Sequence, residues 1–459
     1  MSLKNRQIAI VGGGLAGSEC AYQLAELGHE VCLYEMRGSG SSTPAHKTNR
    51  LAELVCSNSL GSTTDYSAPG QLKWEAEQLN SLILRSAKAA AVPAGMALGV
   101  DRDVFAANVS QVIESHPRIT VRRERVLSLD QIPRPAVIAS GPLTDDALAS
   151  SLREHFDGEF LYFFDAIAPI VDADTINKFV AYKADRWGKG NRDYYNCPMN
   201  KEQYYALIQA IKEARKIEPK EFEKDTPFFS GCMPIEAMVE RGDETLRYGP
   251  LSGKGLKHPF TNQGAYAVVQ LRQDNREATA FNMVGFQTKM AYGEQVRVFR
   301  MIPGLEQAEF LKLGSIHRNM YIQTPKKLTE TLSSRKDEWL FFAGQITGVE
   351  GYFDSTCMGL LVAHFLDDKI KGRPFNKPPR ESAFGSLLNA ITEDNEYFQP
   401  TNINFGLFPS LTGMDFSKKE NRDTKREMQL ARAKVAFSEW ILSKRAPKTS
   451  VVEGYLQSL

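Results

Sequence analysis

The first residues in this chain whose types and spacing can do chemistry are three glycines and an acid. Gly12, Gly14 and Gly17 stand in the run Gly12-Gly13-Gly14-Leu15-Ala16-Gly17, and Glu35 lies about twenty residues beyond them, followed by Met36 and Arg37. At such a junction the first glycine permits a tight turn, the second lets the backbone approach a pyrophosphate, and the third lets helix and strand pack closely. The phosphates then face a helix N-terminus, and the acid accepts hydrogen bonds from ribose hydroxyls. The pattern predicts dinucleotide binding.

The elements that must position these residues are short and local. Gln7–Val11 is a β-rich run, Ser18–Leu27 has the helical pattern, Gly28 is a helix stop, and Val31–Glu35 reads as a second strand ending in the acid. Farther on, Asp101–Ser115 reads as a helix, Ile119–Arg123 as a strand, and Ala136–Ala139 as a buried strand running into Ser140-Gly141-Pro142. Near the other end the apolar strand Trp339–Ala343 leads into Gly344-Gln345-Ile346-Thr347-Gly348, then the pair Gly351-Tyr352 and a helix from about Thr356. This second glycine-rich junction supplies amides and a helix N-terminus to the same ligand. FAD, which needs contacts from two distant parts of a chain, fits better than NAD. The expected class is α/β: a Rossmann-like FAD-binding domain of the glutathione-reductase type from residues 1–150 and 337–410, an inserted α/β substrate domain at 151–336, and a basic helical tail at 411–459.

Composition narrows the remaining classes. At about 150 residues per domain, 459 residues make two to three domains. Hydrophobic residues at 42% and charged residues at 24% exclude disordered, collagen-like and coiled-coil chains. The formal charge of +1 means that any nucleic-acid contact comes from local patches. One such stretch is Lys418–Lys448, with ten Lys and Arg against four Asp and Glu, about +6. Leu430, Val435, Phe437, Ile441 and Leu442 are its expected apolar face; it reads either as a helix docked on the body or as a rail for RNA phosphates. No apolar stretch reaches the roughly 18 residues of a membrane span, and the N-terminus does not read as a secretory signal. Cys20, Cys32, Cys56, Cys197, Cys232 and Cys357 are too sparse for a disulfide scaffold and have no metal-ligand spacing. A cytoplasmic protein with free thiols and no metal is expected.

A longer set of motifs carries a family resemblance. Gly12–Glu19, Glu35-Met36-Arg37, Pro44-Ala45-His46, Val55-Cys56-Ser57-Asn58-Ser59-Leu60 and Val92-Pro93-Ala94-Gly95 begin it. Asn196-Cys197-Pro198-Met199, Val268–Arg272, Val284–Thr288, Met301–Leu305, His317-Arg318-Asn319, Ala343-Gly344-Gln345 and Asn404–Leu407 continue it in order. From Ile8 to about Ser410 the chain resembles the folate- and FAD-dependent tRNA (uracil-5-)-methyltransferases. It departs from them at Ser252-Gly253-Lys254, where a Lys-Pro-Val-like run is expected, and at Thr356-Cys357-Met358, which replaces a run of small residues.

The resemblance implies that methylenetetrahydrofolate gives its one-carbon unit to reduced FAD, as an adduct on flavin N5. The carbon then passes to C5 of the T-loop uridine of tRNA, and NADPH or NADH re-reduces the flavin. Uracil C5 is a poor nucleophile, so a thiolate must add at C6 and a second group must remove the C5 proton. Cys232, in Gly231-Cys232-Met233-Pro234, is the better nucleophile: Pro234 fits a first helical turn, whose dipole favours the thiolate. Cys56 matches the family's other cysteine, a base for the C5 proton or a guard of the flavin adduct. Cys197 reads as a structural turn, and Cys20, Cys32 and Cys357 as packing residues.

The resemblance also implies that His317 stacks against the folate pterin, with Arg318, Asn319 and Arg272 as further folate or substrate contacts; His46 is a weaker candidate. Expected cofactor contacts are Gly12, Gly13, Gly14, Leu15, Ala16, Gly17, Glu35, Met36, Arg37, Gly344, Gln345, Gly351 and Tyr352. Three rivals stay open: the same chemistry on a ribosomal RNA uridine, an FAD-dependent oxidoreductase of a small molecule, and a flavin-containing RNA-binding protein without turnover. The related flavoprotein that modifies wobble uridines carries a long additional C-terminal domain, and the end of this sequence within about fifty residues of Ser410 counts against that reading.

Overall fold

The computed structural model describes residues 7–43, 45–158, 160–188, 191–217, 233–395, 398–411 and 422–445; the side chains at 163–165, 317–318, 422 and 445 lie outside that description. Five short apolar strands form a parallel sheet in the order Leu340–Phe342, Ala136–Ile138, Ile8–Val11, Val31–Tyr34, Ile119–Arg122. Ile8–Val11 and Val31–Tyr34 are buried at every residue, because helices cover both faces of the sheet. The first helix, Leu15–Glu26, starts three residues before the sequence pattern indicates, with Gly14 as its cap. It packs against Tyr352–Ile370, which likewise starts earlier than Thr356, directly after Gly351.

Two buried acids lock other helices to this layer. Glu19, on the first helix, accepts hydrogen bonds from the amides of Leu82 and Ile83 (3.1 and 2.9 Å) and from the Ser81 hydroxyl (2.8 Å), capping the helix Leu82–Ala89 from outside. Glu75, on the helix Ala68–Gln78, does the same for Ala383–Thr392 through the amides of Ala383 and Phe384 (2.7 and 2.8 Å). Each satisfies amides that a helix start leaves without intrahelical partners.

A second sheet has six antiparallel strands in the order Tyr182–Lys183, Tyr194–Met199, Ala267–Gln273, Ala280–Met283, Ile170–Asp172, Phe310–Lys312. The helix Lys201–Glu213, begun by a reciprocal Asn200–Gln203 cap, covers it with Tyr204, Leu207, Ile208 and Ile211. This core runs from Ala168 to Ala308 and is separate from the first. The antiparallel ribbon of Leu161–Ile167 with Ser315–Tyr321 carries the chain between the two. Leu152, Phe156, Tyr321 and Leu332 pack in the first core, so the second is shorter at both ends than residues 151–336.

The helix Arg422–Arg445 lies on the first core through Leu430, Ala433, Phe437, Trp440 and Ile441. Val435 and Leu442, expected on that face, are 60% and 65% exposed. At about 100° per residue they fall well over 90° from the stripe through 430, 433, 437 and 441. Several of the helix's cations are held by the body. Lys444 bonds Asp368 (3.0 Å), Arg432 bonds the carbonyls of Pro409 and Ser410, Lys434 lies over the Trp74 ring, and Arg426 lies over Phe405. This is the docked arrangement, with these four cations turned to protein. Among the described residues, no helix is long and apolar enough to cross a membrane, and no His, Cys, Asp and Glu group is arranged to hold a metal ion.

Candidate functional site

A cleft crosses the C-terminal ends of the parallel strands. Each strand delivers the residues that follow it: Gly344 and Gln345 after Leu340–Phe342, Ala139–Leu143 after Ala136–Ile138, Gly12 after Ile8–Val11, Glu35–Arg37 after Val31–Tyr34, and Glu124–Val126 after Ile119–Arg122. Five strands at about 4.8 Å spacing make a floor on the order of 20 Å across, long enough for a dinucleotide. Open α/β sheets bind ligands at this edge.

The phosphate-binding turn is set by backbone contact. Gly12 has φ +105°, and a Cβ there would meet the Ala139 carbonyl oxygen at 2.5 Å; a Cβ on Gly17 would meet the Gly12 carbonyl oxygen at 1.8 Å. A Cβ on Gly14, at the cap of the first helix, would meet nothing within 4 Å. That open space at a helix N-terminus is the cradle a pyrophosphate requires. The Gly13 amide donates to Glu35 Oε2 at 2.8 Å, and Arg37 grips the same carboxylate through Nε and Nη2, each at 2.9 Å. Burial works against the Glu35 charge, but Arg37 and the two backbone amides offset this and hold its pKa below the ordinary carboxylate value. The Gly13 and Arg37 amides and Arg37 Nε and Nη2 fill the acceptor positions of this ionised carboxylate, so a ribose hydroxyl would take its place there by displacing an Arg37 bond.

At the other end the cleft is lined by His46, Val55, Cys56, Ile167, Asn319, Gln345, Gly351 and Tyr352. Both polar atoms of the Gln345 side chain are buried with no protein hydrogen bond. A buried amide left in that state points to a polar-edged ligand, and with the Gly14 cradle and Glu35 it fits FAD. Cys56 is half-buried; its amide donates to the Tyr352 phenol oxygen at 2.6 Å, and its carbonyl accepts from Arg102 Nη2 at 3.1 Å. Arg102 also bonds Asp274 (3.0 Å), and Lys312 Nζ bonds the Val55 carbonyl (2.8 Å). Arg102, Lys312 and Arg272 are all within electrostatic reach of the Cys56 sulfur.

The titration of these groups follows from burial and neighbours. Burial, with Arg102 and Lys47 nearby, brings Lys312 down to about 8. Burial also opposes the Arg102 charge, but Asp274 and the Tyr352 phenol outweigh it and raise the Arg102 pKa. Burial and the Arg37 charge bring His46 down to about 4, so it is a neutral imidazole at pH 7, with Nδ1 2.6 Å from Thr43 Oγ1.

Of the expected cofactor contacts, Gly12, Gly14, Leu15, Ala16, Glu35, Met36, Arg37, Gly344, Gln345, Gly351 and Tyr352 line the cleft. Gly13 and Gly17 do not line it; they hold the turn from behind. Asn319 is buried against the cleft. His317 and Arg318 sit beside Asn319 on the Ser315–Tyr321 strand, opposite Asp165 and Phe164, with side chains outside the described set. Arg272 lies off the cleft on the second sheet, with Nε 3.1 Å from Asn58 Oδ1. Cys232 lies outside the described residues. The helix after it is present as Ile235–Glu240 with Pro234 at the cap, one position earlier than a first-turn proline. Glu236 there is buried and bonded to the Thr288 hydroxyl and the Lys289 amide. Cys197 is fully buried, which pushes its thiol up to about 12, and Cys20, Cys32 and Cys357 are buried too.

Arg102, Lys312, Asn58 and Asp274 were not among the expected site residues. The signal available for Lys312 was a lysine inside the strand-like run Phe310-Leu311-Lys312; Arg102 and Asp274 carry no motif.

These features define a class: a dinucleotide-binding α/β protein with an antiparallel insertion, and solved structures of the same fold exist. Aquifex aeolicus GidA superposes with a TM-score of 0.67 over 96% of this chain and 74% of its own, at 15% identity, and a second crystal form of it gives 0.64. The sequence pattern of the family described as Glucose inhibited division protein A matches residues 7–374. At the level of sequence, the methylenetetrahydrofolate--tRNA-(uracil-5-)-methyltransferase TrmFO of Bdellovibrio bacteriovorus is 63% identical over 95% of this chain and 98% of its own length. Its counterparts in Sphingopyxis alaskensis and Rhizorhabdus wittichii are 49% and 51% identical over 96% and 95% of this chain and 98% of their own lengths. The chain belongs to the TrmFO family.

Proposed function

We propose that this protein methylates C5 of the T-arm uridine in tRNA, with methylenetetrahydrofolate as carbon donor, FAD held in the cleft, and NADPH or NADH as reductant. Bound there, the flavin supplies one-carbon carriage and the electrons that bring the carbon to the methyl level. The chain's own residues do the rest. Gly12, Gly14 and the first helix N-terminus receive the pyrophosphate, Glu35 the ribose, and Gln345 the polar edge of the ring. His317, Arg318 and Asn319 contact folate or uridine. Cys232 adds through sulfur to uracil C6, which raises electron density at C5; once C5 carries the new bond, Cys56 takes its proton and Cys232 departs as thiolate. The cations Arg102, Lys312 and Arg272 favour the ionised sulfur that a base requires at Cys56.

In this reading residues 1–150 and 337–410, with the two ends of the 151–336 insertion, form the dinucleotide-binding part, and the rest of the insertion meets RNA. The separate core of Ala168–Ala308 supports that division, with the crossover near the 161–167 and 315–321 ribbon. A tRNA substrate makes the protein cytoplasmic.

The observation that carries the reading is the seat of Cys56, in one cleft wall with Gln345 and Tyr352. The test is to incubate FAD-loaded protein with T-arm RNA, NADPH and methylenetetrahydrofolate labelled in its one-carbon unit. Label is expected in the C5 methyl group of the T-arm uridine. NADPH oxidation without label in RNA would favour the small-molecule oxidoreductase, and label only in a ribosomal RNA fragment would move the substrate.

A further inference from the structure

Two loops of the second unit form an exposed surface that joins the Cys56 site through a line of polar side chains. We propose that this surface, centred on Trp187 and Phe260 with Lys254 and Lys257 between them, stacks and holds an unpaired RNA segment next to the target uridine. The proposal rests on the reading of an RNA substrate given above.

The loop Ser252–Gln263 contains two lysines, a histidine and a phenylalanine, and no acid. A turn closed by His258 N to Gln263 O and Asn262 N to His258 O, both 2.9 Å, presents Phe260 at its tip with 93% of its surface exposed. Trp187 is bound to the same loop by its amide, 2.8 Å from the Gly255 carbonyl oxygen. A Cβ on Gly255 would lie 2.6 Å from the indole, so only glycine lets the ring rest on the loop backbone, and 63% of Trp187 remains in solvent. The His258 ring bridges Tyr182 and Phe260, with centroids 4.9 and 5.9 Å away.

Aromatic rings left in water beside lysines suit a partner with flat faces and negative charge. The two nearby acids are turned inward: Asp185 accepts from the Asp193 amide (3.2 Å) and Asp193 from the Gly95 amide (2.8 Å). Lys254 and Lys257 are exposed. The surface is therefore basic where it is aromatic, which a nucleic acid with splayed bases fits.

Its position fits as well. Arg186, adjacent to Trp187, anchors the loop through the carbonyls of Ser252 (2.6 Å) and Lys254 (2.9 Å) and reaches Gln270 Oε1 at 3.0 Å. Gln270 and Arg272 lie two residues apart on one face of the strand Ala267–Gln273, about 7 Å along it, and Arg272 bonds Asn58, two residues after Cys56. The aromatic surface thus stands on the order of 20 Å from the cleft along one polar sheet face. A base delivered to Cys56 leaves its neighbours within reach of this surface.

The test measures binding of a fluorescent T-arm stem-loop RNA to full-length, FAD-loaded protein across a salt series. Phe260→Ala is expected to raise Kd about tenfold, and Lys254→Gln with Lys257→Gln to lower the slope of log affinity against log salt by roughly 1.5. Flavin content and melting temperature, compared with the unsubstituted protein, certify that the variants are folded. Unchanged affinity and slope in folded variants, while the unsubstituted protein binds, would overturn the surface alone. A change only in self-association would make it a protein interface and overturn it equally. No binding by the unsubstituted protein would overturn the RNA substrate and this surface together.

Discussion

The phenol oxygen of Tyr352 lies 2.6 Å from the backbone nitrogen of Cys56, a hydrogen bond between residues 296 apart in sequence. It ties the first turn of the helix Tyr352–Ile370 to the loop that carries the thiol. Tyr352→Phe keeps the ring in the cleft wall and leaves the Cys56 amide without this acceptor. A lost hydrogen bond of this kind costs about 1–3 kcal/mol, so single-turnover methyl transfer should fall about 10- to 100-fold while flavin content stays the same. An unchanged transfer rate would mean that this bond does not position Cys56.

Gly14 and Gly17 separate cofactor space from folding space. A Cβ at Gly14 meets nothing in the protein, whereas one at Gly17 meets the Gly12 carbonyl oxygen at 1.8 Å. Gly14→Ala should leave the FAD-free protein as stable as before and weaken FAD binding by about 1–3 kcal/mol. Gly17→Ala should lower the stability of the FAD-free protein itself by about 3 kcal/mol or more. Flavin titration and denaturant unfolding of both variants measure the contrast; equal effects on both quantities would contradict it.

Glu75 makes stability depend on pH. Burial pushes its pKa up to about 7, against which the Gln71 side chain and the amides of Phe384 and Ala383 pull it down. The carboxyl holds its proton in the folded chain and releases it near 4.5 in the unfolded one. Folding therefore takes up a proton between those values, and this contribution to stability, present below about pH 4.5, is lost as pH rises to 7. The span is on the order of 3 kcal/mol. Glu75→Gln should remove that part of the slope in denaturant midpoints measured from pH 5 to 8; an identical slope in the variant would assign it to other groups.

What was legible in the sequence was local. The run Gly12–Gly17 between two apolar strands with Glu35 behind it determines its own geometry, and its residues line or brace the cleft. Helix starts were read late at Ser18 and Thr356 because Gly14 and Gly351 cap the helices without a side-chain oxygen, the usual signal of an N-terminus. The apolar face of Arg422–Arg445 was misread at Val435 and Leu442 because apolar character was followed without the 100° turn per residue. Of the cations around Cys56, Arg272 was read as a folate or substrate contact, while Arg102 and Lys312 were not legible: the three come from distant elements, and only the folded topology brings them together.

The most direct test of the central claim is transfer of labelled carbon to the T-arm uracil C5 by Cys56→Ala and Cys232→Ala, each matched to the unsubstituted protein in flavin content and in flavin reduction by NADPH. Both variants are predicted to retain FAD and to bring label at C5 to background. Label arriving at the unsubstituted rate in either variant would contradict the assignment of that sulfur to the chemistry.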